Sequence, residues 1–375
     1  MGAGVPAGVG GDVNGTVPGN VSRILVIKWS ALGDVVIASA VMEDIARAFP
    51  EATIHLNTQP NCTNLFAHDP RFAEVWAIDV RRRQHRWANS LAWLKKARAG
   101  RYDLVIDLQR SDHTRLLLTL LWLSGGAPRV RVGNRGGFPY THQPAIRESG
   151  THPLPTMQSV LQAIGIPTAT PHPVLYPAPD RLAAVAALRQ QHGLDDGRYV
   201  VLLPGSAAAH PLKRWGAARF AELARRLHAQ GVPKIVVIGG PDEVGECAEI
   251  AGVGDYAVNL NGQLQLLDIA PLCAGALAII GNDTGTAHFA SAADRPLLVL
   301  CGPTDPRRVK PIGSRSIAVQ AQLPCSNCYA RTCRNPDSHA CMKAITPEWL
   351  AARVPELASD RIEPGQDWPG GLRSF

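Results

Sequence analysis

The chain has 375 residues, room for two domains of ordinary size, and its 46% hydrophobic and 18% charged residues are a globular composition that excludes fibrous and disordered classes. Its longest apolar run, Leu116 to Leu123, contains a threonine and falls far short of the roughly 20 residues that a membrane-crossing helix requires. The net charge is +7, yet thirteen Lys or Arg stand against three Asp between Arg81 and Arg135 alone; such a basic stretch fits anionic partners, whether phosphorylated glycolipid, nucleic acid or an acidic membrane surface, and equally well arginines set on solvated helix faces.

Residues 1–20 are rich in Gly, Val and Pro and have no basic start followed by an apolar core. They are expected to be a flexible tail and not a secretory signal, which points to a soluble cytoplasmic protein. Arg23 to Lys28 (RILVIK) reads as a strand and Trp29 to Gly33 as a loop. Asp34 then opens a helix with Val35, Ala38, Val41, Met42 and Ile45 at helical spacing. Thr53–Leu56 and Val75–Ile78 are weaker strands, and Asp103–Gln109 (DLVIDLQ) is a strong one. Continuous apolar strands followed by a turn and a helix mark parallel sheets covered on both faces.

From Gly133 to Asp180 prolines crowd the chain, a density that resists long regular elements and marks a boundary. The pattern then restarts. Tyr199–Leu203 is a strand ending in Pro204-Gly205, with a helix from Trp215 to Gln230. Lys234–Ile238 ends in Gly239-Gly240, with a helix beginning around Asp242. Ala276–Ile280 ends in Gly281, its helix running from Thr284 to Ala293, and Leu297–Leu300 follows. Each half reads as an open, doubly wound α/β sheet, whose ligands sit outside the carboxyl ends of the strands. With two lobes, the cleft between them is the natural site.

Three motifs carry chemistry. The first is Gly281-Asn282-Asp283-Thr284-Gly285-Thr286-Ala287-His288, a strand–turn–helix junction whose free backbone N–H groups suit a pyrophosphate. Asp283 and Thr284 could equally serve as a plain helix cap, but capping calls for neither a second glycine nor a histidine one turn on. The second motif is Pro204-Gly205-Ser206 with Lys213-Arg214-Trp215. Its turn can approach a phosphate and its lysine can neutralise a departing diphosphate, although an ordinary turn with a solvated basic pair reads the same way. The third is Ser30 to Asp34 (SALGD), a carboxylate at the sheet edge that is placed to act as a base or, more blandly, to cap a helix.

Other signatures fail. Pro324-Cys325-Ser326-Asn327-Cys328 matches half of a zinc deaminase motif, but no His-x-Glu occurs in the chain. Phosphate-loop, nucleophile-elbow and zincin motifs are missing, as is the glycine run of a nicotinamide fingerprint. Cys62, Cys247, Cys273 and Cys301 read as small buried hydrophobes. Cys325, Cys328, Cys333 and Cys341, with His339 among them, have spacing that would fit either a structural metal knuckle or a thiol-rich loop. The basic stretch lacks the aromatic interleaving of a nucleic-acid binder beyond Trp87, Trp93, Tyr102 and Trp122.

In this order and at these separations the three motifs resemble the glycosyltransferase family 9 heptosyltransferases, over about Arg23 to Leu357. The family's G-D-V-V appears as Gly33-Asp34-Val35-Val36, its D-T-G box as Asp283-Thr284-Gly285, and its K-x-W as Lys213-Arg214-Trp215. Asn282 and Thr286 depart from the Val and Leu common in that box, and Ala40 from a common proline. The resemblance implies two Rossmann-like doubly wound domains facing a cleft (the GT-B type): 21–178 for the acceptor and 179–345 for the donor, followed by a helix and tail over 346–375. It implies inverting transfer of heptose from an ADP-sugar to the lipopolysaccharide inner core, with no cofactor or metal required, by a protein that could sit peripherally at the inner face of the inner membrane. By position, Asp34 would be the base, and Lys213 and Ser206 would hold the diphosphate. Asp283 would contact the sugar, Thr284, Gly285, Thr286 and His288 would line the donor pocket, and Glu243 would reach the nucleoside. Arg110, Arg115 and Arg135 would meet the anionic acceptor. Rival readings are another glycan or a protein as acceptor, or a nucleotide-binding relative that has lost the reaction.

Overall fold

The computed structural model describes residues 21–80, 83–146 and 152–375; the expected tail over 1–20 and Arg81 and Arg82 of the basic stretch lie outside the described residues. The first half is a five-stranded, wholly parallel sheet of β1 (Arg23–Ile27), β2 (Thr53–Thr58), β3 (Glu74–Ala77), β4 (Leu104–Asp107) and β5 (Val130–Gly133), in the order β3-β2-β1-β4-β5. Its helices are α1 (Leu32–Ala48), α2 (Arg86–Ala99), α3 (Asp112–Leu123) and α4 (Pro153–Gln162). The central strand shows why an unbroken apolar run folds this way. Successive side chains point to opposite faces, so Ile24 and Val26 enter the layer beneath α1 and α4, while Leu25 and Ile27 enter the layer beneath α2 and α3.

The second half opens with α5 (Pro179–Gln191) and carries the parallel strands β6 (Tyr199–Leu203), β7 (Lys234–Val237), β8 (Ala257–Asn259), β9 (Ala278–Asn282), β10 (Leu297–Cys301) and β11 (Ser316–Ala321). Between them lie α6 (Ala217–Ala229), α7 (Val244–Ala251), α8 (Ile269–Cys273), α9 (Gly285–Ser291) and α10 (Pro306–Val309), followed by α11 (Ala340–Lys343) and α12 (Pro347–Ala358). After α12 the chain does not end in a bare tail. It forms β12 (Asp367–Trp368) and β13 (Leu372–Ser374), and β13 pairs antiparallel with β11 to complete an eight-stranded sheet, β12-β13-β11-β10-β9-β6-β7-β8.

The proline-rich middle differs from its expectation in one respect: it contains the ten-residue α4. Pro153 opens that helix, where a missing N–H costs nothing because the first turn has no intrahelical acceptor. Beyond α4, residues 166–178 form an extended strap laid along α1. Asp44 Oδ1 accepts from Thr170 N (3.1 Å) and Thr170 Oγ1 (2.6 Å), Ser39 Oγ accepts from Val174 N (3.0 Å), and Arg71 donates to the Val174 carbonyl (3.1 Å). One buried cluster runs from Ile24, Val26 and α1 through Ala287, Phe289 and Ala290 of α9 into Tyr199, Val201 and Leu203, so the helices between the two sheets share a core. Among the described residues no helix is long and apolar enough to cross a membrane.

Candidate functional site

Each sheet has a point where the strand order turns back on itself, β1/β4 in the first and β6/β9 in the second. Loops leaving such neighbours in opposite directions open a crevice at the carboxyl edge. At β1/β4 the crevice is built on buried polar groups. Gln109 Oε1 accepts from the backbone N–H of Trp29 (3.0 Å) and Ser30 (3.1 Å), holding the turn into α1. Asp107 accepts from Gln109 N (2.8 Å) and Tyr140 Oη (2.5 Å), and burial pushes its carboxyl up to about 7. Lys28 Nζ donates to the Ser30 carbonyl (3.1 Å) and lies 4.0 Å from Asp34 Oδ2. Burial pulls the Lys28 ammonium below the ordinary lysine range, and Asp34 and Asp107 oppose that pull. Asp34 itself lies in the first turn of α1, its side chain 41% exposed.

At β6/β9 the two motifs of the second half are joined by a residue that departs from the pattern of the family the motifs resemble. Asn282, fully buried, accepts from Trp215 N through Oδ1 (3.0 Å) and donates through Nδ2 to the carbonyls of Pro204 and Gly205. The Lys213 ammonium is thereby set 2.7 Å from Asp283 Oδ2, which also accepts from Thr304 Oγ1 (2.8 Å). Thr284 stands at the N-cap of α9 without a side-chain cap bond. Asp283 is thus committed to a lysine and a hydroxyl, and the capping interpretation of this pair does not hold.

The two crevices face each other where α1 lies against α9. A Cβ on Gly33 would stand 2.8 Å from the His288 ring, so the glycine of G-D is there because the helices approach too closely for any side chain. Burial drives His288 down to about 4, leaving a neutral imidazole whose Nδ1 is buried without a partner among the described residues. A cleft of about 320 Å³ between the halves is lined by Gly33, Asp34, Lys213, Asp283, Thr284, Gly285 and His288, with Arg308 from α10. A second cavity of about 190 Å³ on the first sheet's side is lined by Lys28, Ser30, Asp34, Gln109, Arg110 and Asn134. Asp34 borders both.

Other expected residues lie elsewhere. Ser206 is buried, its hydroxyl donating to the His210 carbonyl (3.1 Å) and accepting from Arg214 Nε (3.3 Å), and the cleft is lined by the adjacent Ala207 instead. Glu243 accepts from Gly240 N (2.5 Å) and Arg214 (3.3 Å) and fills the space a Gly205 side chain would need. Thr286 does not line the cleft. Arg115 donates to the Phe138 carbonyl (2.7 Å) and Arg135 pairs with Asp112 (2.7 Å), both outside the smaller cavity. Cys325, Cys328, Cys333 and Cys341 line one cavity of about 450 Å³ together with His339. Yet no group of three or more His, Cys, Asp or Glu among the described residues is arranged to hold a metal ion, and His339 Nε2 is engaged with the Leu212 carbonyl (2.7 Å). Sequence reasoning missed Lys28, Gln109, Asp107 and Asn134. The one available signal was polar residues closing apolar strands, as in RILVIK and DLVIDLQ.

The model of glycosyltransferase family 9 (heptosyltransferase) matches residues 91–339. The chain belongs to glycosyltransferase family 9. Lipopolysaccharide heptosyltransferase 1 of Pseudomonas aeruginosa is 28% identical over 328 residues, covering 83% of this chain and 87% of that one. The fold is similar to that of a family 9 glycosyl transferase from Veillonella parvula (TM-score 0.77, 20% identity, 92% of this chain and 99% of that one). It is also similar to the Escherichia coli heptosyltransferase WaaC with ADP-2-deoxy-2-fluoro heptose (TM-score 0.64, 22% identity, 89% and 99%). The two doubly wound domains are therefore of the GT-B type, and the protein is a glycosyltransferase.

Proposed function

We propose that this family 9 enzyme transfers heptose, with inversion, from ADP-heptose to the inner core of lipopolysaccharide, residues 21–178 holding the acceptor and 179–345 the donor. The observation that carries this reading is that Asp34 borders both cavities and faces the Lys213–Asp283 pair across the cleft. The acceptor hydroxyl enters from the Arg110 side and its oxygen attacks the anomeric carbon. Its proton passes to Asp34, the carbon–oxygen bond to the diphosphate breaks, and ADP leaves with the bonding pair. Lys213 and the N–H groups opening α9 meet the charge that builds on the diphosphate. Support for the donor comes from relatives that are heptosyltransferases, one of them solved with an ADP-heptose analogue.

Purified protein supplied with ADP-heptose and deacylated inner-core acceptors should yield a glycoside of inverted anomeric configuration by mass spectrometry and NMR. The Asp34→Asn variant should lose about 10²–10⁴ in kcat while still binding ADP. Transfer to none of these acceptors, or near-normal turnover by a folded Asp34→Asn, would overturn the assignment.

A further inference from the structure

The outer face of the first domain carries features that the transfer chemistry leaves unused. Among the described residues, six of the ten large exposed hydrophobic side chains, Trp87, Leu91, Leu116, Trp122, Leu123 and Phe138, fall on α2, α3 and the loop after β5. Trp87 is 82% exposed and Leu123 67%. Scattered exposed leucines are ordinary, but a grouped set is not. Trp87 and Leu91 are one turn apart on α2, and Leu116 and Leu123 are two turns apart on α3, so each pair shares a face of its helix. Both helices cover the same side of the sheet and pack against each other, which sets the two stripes side by side. Phe138 meets Trp122 edge-on, ring centres 5.1 Å apart.

The rim of this patch is basic. Helix α2 carries Arg86, Lys95, Lys96 and Arg98 and no acid; Lys96 is paired with Glu74 of β3, and the one acid of α3, Asp112, with Arg135. Arg115 on α3 and Arg129, just before β5, are exposed as well. Tryptophan and leucine ringed by cations match the boundary between acyl chains and anionic headgroups, where aromatic rings bury their bodies and basic side chains meet phosphates. A second copy of the chain fits poorly, because a two-fold contact through this face would set cation against cation. The patch also adjoins the site: α3 begins two residues after Arg110, which lines the cavity bordered by Asp34.

We infer that the α2–α3 face docks the enzyme on an anionic lipid bilayer. The inference rests on the proposed function only in that a lipid-borne acceptor gives such docking a purpose.

The test uses vesicles without any acceptor, so lipid binding and sugar transfer are measured separately. In flotation assays the full-length protein should bind phosphatidylethanolamine–phosphatidylglycerol vesicles, bind phosphatidylcholine weakly, and release at high salt. The variant Trp87→Ala/Leu91→Ser/Trp122→Ala/Leu123→Ser should require at least about tenfold more lipid for half-binding. Trp122→Ala gives up its ring contact with Phe138 and so lowers the melting temperature slightly, but the far-ultraviolet circular dichroism and the transfer to a water-soluble deacylated acceptor should match the parent. Arg86→Ala/Lys95→Ala/Arg98→Ala should reduce binding to anionic vesicles alone. Failure of the parent to bind anionic vesicles would overturn the inference. Undiminished binding by the fourfold variant would do the same, as would a concentration-dependent dimer that the variant abolishes, for the patch would then be covered by a second copy. Vesicle binding without transfer to any inner-core acceptor would uphold docking while refuting the proposed function.

Discussion

Asp34 keeps two-fifths of its side chain in contact with solvent while Lys28, its nearest cation, is buried. A buried ammonium beside a reachable carboxylate can steady the negative charge without blocking an incoming hydroxyl. Across the cleft the reverse arrangement holds: Asp283 is buried and Lys213 one-fifth exposed. Removing the lysine therefore strands a carboxylate. Lys213→Met should cost about 2–4 kcal/mol of stability in urea unfolding, somewhat less than a fully buried pair would because Lys213 touches water. Lys213→Met/Asp283→Asn should recover most of that loss yet remain inactive; equal destabilisation in both would remove Asp283's dependence on the lysine. His288 sets a pH dependence. Its ring is held near 4 when folded against an ordinary value of 6.5, so on acidification the unfolded chain takes up this proton first. The contribution is complete above pH 6.5 and is lost as pH falls toward 4, by up to roughly 3 kcal/mol. Asp107, raised from 3.8 to about 7, acts with the opposite sign across an overlapping range. The measurement is therefore the difference between the parent and His288→Asn, which should shrink as the pH is lowered. A constant difference would mean that His288 titrates normally.

The strand–turn–helix units were legible because their signal is local. An apolar run such as Tyr199–Leu203 before Pro-Gly fits a covered parallel strand, and the central strands of both sheets followed from such runs, whereas β5 and β11 were not anticipated. Edges shifted where chemistry ignores hydrophobicity: β9 runs to Asn282 and not to Ile280, since Asn282 continues the ladder while its side chain ties the 204–205 turn and the backbone at Trp215 to the strand. Short or polar strands stayed hidden. β8 (AVN) and β13 (LRS) have too few apolar residues to register, and β13 is a strand because β11 offers an open edge far back in the chain. The site was half legible for the same reason. Asp34, Lys213 and Asp283 stand in motifs, whereas Ser206 was expected in the cleft but is turned inward by Arg214 and the His210 carbonyl, contacts that no local pattern encodes. The Asn282 junction yields a test at this scale. Asn282→Leu leaves the Trp215 N–H and two carbonyls without partners, at about 1–3 kcal/mol for each group left buried and unpaired. It should also release Lys213 from its position, so ADP affinity should fall along with unfolding stability. Loss of stability with unchanged ADP affinity would separate the junction from the proposed donor site.

At the scale of the whole molecule the question is whether two domains behave as two bodies. Linked domains with small polar contacts commonly unfold separately. Here α1 and α9 meet too closely for a side chain on Gly33, and one buried cluster passes between the sheets. The 166–178 strap is bonded to α1 before the chain enters α5. His152 adds a further tie, its Nε2 donating to the Lys310 carbonyl (2.8 Å) while its Nδ1 accepts from Leu154 N. Separating the halves would therefore expose apolar surface and break buried hydrogen bonds together. Thermal unfolding should then be a single transition, whether followed by far-ultraviolet circular dichroism or by tryptophan fluorescence, although Trp29, Trp76 and Trp93 lie in the first domain and Trp215 in the second. ADP at about a hundred times its Kd should stabilise the native state by roughly 2.7 kcal/mol and move both probes by the same amount, because a ligand held by one half is felt by the other through the shared core. Two transitions, with only the second domain's shifted by ADP, would mean that the seam between α1 and α9 contributes little and that the cleft opens as a hinge between independent domains.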